Sequence, residues 1–272
     1  MQKKIWKKTF LLFLIFNLFY PALTFAADKK SDSTPFTIPN HVLPIDKENT
    51  YTNNNEADEE VEASETTKGW IDGLKYNIDN QALIELLNET TIKPSPIAIG
   101  YRGMIYLGRW PIQYETKETK VNWEYQKVHE NEWNNIESTV NQKLHYDQNV
   151  TKQISGVLTS KIEHADAVKQ MMLFAARKKT DLPLTFQTTI GQGTKKENAY
   201  TIPPNKAGTL TTFVPAVYEK GQIVFGEVYV QLKGKETEII LKNVTKQGIA
   251  AWMPLQDYLT FSFQLKQGTE AE

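Results

Sequence analysis

The chain of 272 residues contains no cysteine. This excludes disulfides, thiolate metal sites, a cysteine nucleophile and the lipid-bearing cysteine of a bacterial lipoprotein. The domain must therefore be held by its core alone, and for an exported chain of this length the lack of cysteine fits a bacterial envelope better than a eukaryotic extracellular setting. Arginine is scarce too: Arg102, Arg109 and Arg177 stand against 28 lysines. With a formal net charge of −1 there is no basic excess to neutralise phosphates, which argues against a nucleic-acid partner. Only four histidines are present, and the serines lack both the G-x-S-x-G elbow and a lysine three residues downstream. Nucleophilic catalysis has no support in the sequence.

The longest apolar run lies at the start. Lys3, Lys4, Lys7 and Lys8 precede the apolar stretch Phe10–Tyr20, Pro21 breaks it, and Thr24-Phe25-Ala26 offers the small residues of a signal-peptidase site. Residues 1–26 read as a signal peptide cleaved between Ala26 and Ala27, and the protein is expected to be secreted or extracytoplasmic. An uncleaved anchor would be its only link to the membrane. The three N-x-S/T sequons, at Asn88, Asn149 and Asn243, carry no weight in a bacterium.

Removing the four leader lysines leaves 27 basic residues against 32 acidic ones. The acid is concentrated in residues 27–66, which hold ten carboxylates and three lysines and are rich in Ser, Thr, Asn and Pro. Such a segment buries too little surface to offset its ordering entropy and reads as a disordered acidic tether. Within it, Phe36–Ile45 has the apolar content of an extended strap lying on the domain.

Residues 67–272 read as one α+β domain. Asp79 or Asn80 caps a short helix carrying Leu83, Leu86 and Leu87, and His164–Thr180 forms a longer buried helix that Asp181, Leu182 and Pro183 terminate. Strands are expected over 144–162, 184–191, 209–218, 223–232, 237–244 and 258–265, divided by turns at GQGTKK, EKGQ, KGKE and TKQG. The expected fold is a curved antiparallel meander with one long buried helix across a face and one short helix.

Chemistry is harder to find. His129 in VHENEW lacks the second histidine of a zinc helix, since position 133 is Trp133. His145 and His164 read as exposed residues, and GQGTKK as a turn rather than a phosphate cradle. No metal, cofactor or catalytic residue is assigned. The stretch GYRGMIYLGRWPIQYETKETKVNWEYQ, residues 100–126, holds six tyrosines and tryptophans. Strand parity puts Ile97, Ile99, Tyr101, Ile105 and Leu107 on one side, and Val121, Trp123 and Tyr125 together, so most of these rings read as core rather than a sugar platform. Arg102, Tyr106 and Trp110 are left as candidate ligand-binding residues, Arg102 being read as a guanidinium on a central strand.

IYLGRWP, NWEYQK, IGQGTKK and NVTKQGIAAWMPLQD, in that order and spacing, resemble the YfkD-like proteins, exported proteins of Bacillus and related spore formers, from about Pro39 to Gln264. The resemblance implies a cell-envelope location, the spore intermembrane space included, and brings no catalytic motif. Function reads as non-catalytic binding of an envelope protein or wall component. Two alternatives are a wall-active hydrolase using paired carboxylates among Glu115, Glu118, Glu124, Glu130 and Glu132, and a lipid-binding protein with an apolar cavity under Met171–Ala176. N-terminal sequencing of the protein from a culture supernatant or envelope fraction is expected to start at Ala27; a start at Met1 would identify an uncleaved anchor.

Overall fold

The computed structural model describes residues 36–53, 60–92 and 102–267. The cleavage point at Ala26 and Ala27, the acid-rich residues 54–59, and Ile97, Ile99 and Tyr101 lie outside the described residues. Those described fall in one compact unit, Pro35–Glu272, and among them no helix is long and apolar enough to cross a membrane.

The fold is mostly β, with strands making up about 55% of the described residues and helices about 15%. This corrects the α+β expectation. The helices are α1 (Glu65–Ile71), α2 (Gln81–Glu89) and α3 (Ala165–Thr180), and even α3 has only 16 residues. α1 went unread because it sits where the acidic tether gives way to the domain, yet Ser64 caps it by accepting the Thr67 N–H. Asn80 caps α2 through the Leu83 N–H, and α3 ends at Asp181, in the left-handed conformation, as its sequence predicts.

Three strands dominate. They are β2 (Arg102–Asn135), β8 (Lys206–Lys233) and β9 (Glu236–Pro254), of which β8 and β9 run through positions where turns were expected. EKGQ is continuous strand because Gly221 is needed for close approach. A Cβ there would stand 2.3 Å from the Glu115 carbonyl oxygen and 2.6 Å from the Tyr114 ring. TKQG is likewise strand, whereas KGKE is a true hairpin turn, with Gly234 at φ 62° and Lys233 paired to Glu236. Pro111 does not break β2, since among the described residues β2 lies at the sheet edge and pairs only with β8.

β2 and β8 pair end to end, Arg102 opposite Lys233 and Asn135 opposite Lys206, although β2 has 34 residues and β8 has 28. Five register shifts in β2 absorb the excess. Each bulge bends and twists the edge strand, which gives the sheet its curvature. On the other side of β8 lie β10 (Tyr258–Gln267) and then β9, flanked by β1 (Val42–Pro44) and β5 (Val157–Leu158) respectively. The sheet is therefore not a sequential meander. The expected strand over 144–162 is divided into β3 (Gln142–Asp147), β4 (Lys152–Ser155) and β5. β3 pairs with β7 (Lys195–Ile202) and β4 with β6 (Gln187–Ile190), giving two small two-stranded sheets.

Odd residues of β8 face one side and even residues the other. The odd side, with Val217, Ile223 and Phe225, is covered by Val168, Met171, Met172 and Ala176 of α3. The even side is covered at both ends. Val228 and Val230 meet Trp70, Leu83 and Leu87 of α1 and α2, while Leu210 and Val214 meet Leu144, Tyr146, Ile154 and Ile190 from the small sheets.

The packed part of the chain begins well before residue 67. Phe36 and Ile38 pack against the α3 cluster, Val42 and Ile45 are buried, and Val42–Pro44 pair with β10. The strap then continues to Asn53. The Asn53 side chain accepts from the Thr189 N–H at 2.8 Å and donates to the Thr189 carbonyl at 3.2 Å, in the manner of a strand partner. Asn49 accepts from Gly191 N at 3.0 Å. GQGT is thus the seat of the strap. A Cβ on Gly191 would lie 1.9 Å from Thr50 Oγ1, so Gly191→Ala is expected to lower stability by about 1–3 kcal/mol in urea unfolding. A second change, Thr50→Ala, should recover part of that loss.

Candidate functional site

Between its two covered ends, the even side of the sheet stays open to solvent. Tyr218, Lys220 and Gln222 of β8 point there, flanked by Glu118, Lys120 and Asn122 of β2 and by Trp252 of β9, the register partner of Tyr218. Glu118, Lys120, Val121, Asn122, Tyr218 and Trp252 line a groove of about 320 Å³. Its floor is aromatic. Trp252 and Tyr218 lie 5.0 Å apart between ring centroids, and Tyr125 stacks on Trp252 at 4.8 Å with an interplanar angle of 22°. Its wall is polar, and the Lys120 ammonium on Glu118 holds that carboxyl below the usual carboxylate range.

The Tyr125 contact comes from a bulge. Asn122 pairs with Ala216 and Gln126 with Val214, so four steps along β2 match two along β8. Trp123 joins the α3-covered cluster while Tyr125 reaches Trp252 on the opposite side, which overturns the expectation that the two share a face. Parity also fails for Ile112 and Tyr114, which the bulge between Pro111 and Gln113 sends to opposite sides, Ile112 to the α1–α2 cluster and Tyr114 to the α3 cluster, and for Ile105, which is 43% exposed.

Behind the groove, on the odd side, Glu219 is fully buried. Its carboxyl accepts from Tyr114 Oη at 3.1 Å and from Thr119 Oγ1 at 2.5 Å. Burial, followed by the neighbouring Glu219 charge, pushes the Tyr114 phenol up, so it remains a donor at every physiological pH. Thr119 and Glu219 are register partners, Thr119 lying between the groove residues Glu118 and Lys120, and Glu219 next to the groove residue Tyr218. The contact ties β2 to β8 between two of the bulges that would otherwise loosen the edge.

Arg102, Tyr106 and Trp110 are not brought together. Arg102 is exposed at the start of an edge strand, opposite Lys233, and not on a central strand. Tyr106 is 54% exposed on the odd side, beside Tyr229 at 5.0 Å between ring centroids, with Lys242 over the Tyr229 ring. Trp110 packs against the α1–α2 cluster and stacks on His164 at 5.3 Å. His145 and His164 are exposed, and burial holds His129 below its usual value and hence neutral. Among the described residues no group of three or more acidic or histidine side chains converges as a metal site.

The sequence reading missed Tyr218 and Trp252. A signal for Trp252 was present: Ile249, Ala251, Met253 and Leu255 alternate as core, leaving Trp252 with Ala250 and Gly248 on the other side. Turns expected at EKGQ and TKQG cut the pattern just where it would have shown.

A family model described as YfkD-like protein matches residues 39–269. The chain is 42% identical over 265 residues to the protein of Bacillus subtilis (strain 168) described as uncharacterized protein YfkD, covering 97% of this chain and 98% of that one. No solved structure matches. Replacing Glu219 by alanine would remove the partner of the buried Tyr114 hydroxyl and of the part-buried Thr119 hydroxyl, and Glu219→Ala should cost about 2–3 kcal/mol in chemical denaturation, against a much smaller loss for Glu219→Gln, which still offers a partner to both.

Proposed function

The chain belongs to the YfkD-like family, and from that premise we propose that it is an exported, non-catalytic envelope protein that holds a cell-wall component in the groove between β2, β8 and β9. The leader sequence supports export, and the resemblance to exported proteins of spore formers supports the envelope, with the spore intermembrane space as one site of action. The observation that carries the binding reading is the aromatic floor of Trp252 and Tyr218 beside the polar wall of Glu118, Lys120 and Asn122, open in the middle of a sheet face that is covered at both ends. Small-ligand sites combine apolar lining with a few placed polar groups in this way.

Cleavage is less well supported. A glycosidase needs one carboxyl held protonated as the acid. Glu118 is instead held down by Lys120, Glu130 by Lys127 and Thr211, and Glu115 is paired with Lys246 at 2.7 Å. Lipid binding also finds little support, since Met171, Met172 and Ala176 are packed directly against the sheet. Tyr106, with Tyr229 and Lys242, offers a second exposed aromatic surface on the odd side and serves as the internal comparison.

The purified mature protein should sediment with isolated cell walls, and Trp252→Ala should weaken that association about tenfold or more while Tyr106→Ala leaves it unchanged. Circular dichroism should show both variants folded. Wild-type protein remaining in the supernatant, or a Trp252→Ala variant that sediments as well as wild type, would overturn the reading, and release of soluble wall fragments would overturn its non-catalytic part.

A further inference from the structure

We infer that the ligand of this groove is an uncharged polysaccharide strand, an assignment that rests on the wall-binding reading and narrows it to one chemistry. A pyranose ring has a C–H face that is apolar and weakly positive and a rim of hydroxyls. It matches an aromatic π-face bordered by hydrogen-bonding side chains. Trp252 and Tyr218 supply the rings, and Asn122 with the Glu118–Lys120 pair supplies donors and acceptors along one wall.

Three other ligand classes fit less well. An acyl chain would press hydrocarbon onto Glu118, Lys120 and Asn122 and strip them of water without compensation. An extended peptide binds a sheet through free backbone groups at an edge. Here the floor strand β8 is paired on both sides, Lys120 opposite Tyr218 and Tyr218 opposite Trp252, so its backbone donors and acceptors are already used. An anionic polymer would need several cations in excess, but the three lysines on this side, Lys120, Lys220 and Lys246, face the two carboxylates Glu118 and Glu115, an excess of one. Lys120 pairs with Glu118, Lys246 pairs with Glu115, and the Lys220 charge also acts on Glu118. A volume of about 320 Å³, open to solvent, suits a short stretch of a longer chain passing across the sheet.

The test is a calorimetric titration of the mature protein with a soluble β-1,4-linked N-acetylglucosamine oligomer, in parallel with a polyol-phosphate polymer and a wall stem peptide. Saturable binding of the oligomer is expected, unchanged between low and high salt. It should be weakened about tenfold or more by Trp252→Ala and retained by Trp252→Phe, which keeps a stacking ring. Asn122→Ala should weaken it by a smaller factor. If the oligomer does not bind while wall sedimentation still depends on Trp252, the glycan assignment falls and the wall-binding function stands. Binding of the phosphate polymer alone, lost in high salt, or of the stem peptide alone, also overturns the assignment. Oligomer binding without sedimentation on walls would retain the assignment and remove the wall as its source.

Discussion

The pairing of β2 with β8 along their whole lengths is the constraint on which the rest of the structure depends. One strand brings 34 residues to a partner of 28, and the excess is absorbed at five bulges, all in β2. An edge strand longer than its neighbour must coil around it. The sheet is consequently too curved for a single helical layer to cover, and each side is covered in pieces: α3 over the middle of one side, α1 with α2 and the two small sheets over the ends of the other. Among the described residues, the groove is the part of the second side that no element covers.

The same constraint explains the buried carboxyl. A bulged edge strand loses ladder hydrogen bonds and gains freedom to slide. Glu219, bonded to Tyr114 and Thr119 across the β2–β8 interface, pins the edge where the groove needs β2 to hold Glu118, Lys120 and Asn122 beside Tyr218. Chain entry is secured by similar means. Asn49 and Asn53 bind the backbone at Thr189 and Gly191, so the strap that joins the packed domain to the segment before it is held by side-chain amides as well as by apolar contacts.

Helix ends were legible because their signals are local. Asn80 and Asp181 act through their own dihedral angles and the nearest backbone groups, which no distant residue needs to supply. Strand continuity was not legible in the same way. Gly221 and Pro111 carry the composition of turns, but one sits where a ring and a carbonyl crowd the backbone and the other at an edge where its missing N–H costs nothing. The candidate site suffered most. Tyr125 belongs to the groove only because a bulge turns it away from Trp123, and a bulge is a relation between two strands, not a property of either.

The sequence alone determined what needs no partner in space: a cysteine-free chain held by its core, the leader pattern, the caps and membership of the YfkD-like family. Tertiary structure decided which strands are continuous, which edge is free, and that Arg102, Tyr106 and Trp110 are held apart while Tyr218, Trp252 and Tyr125 meet. The physical reason is that each of these outcomes depends on the registry between segments roughly a hundred residues apart, and a one-residue slip in that registry sends every side chain to the opposite face.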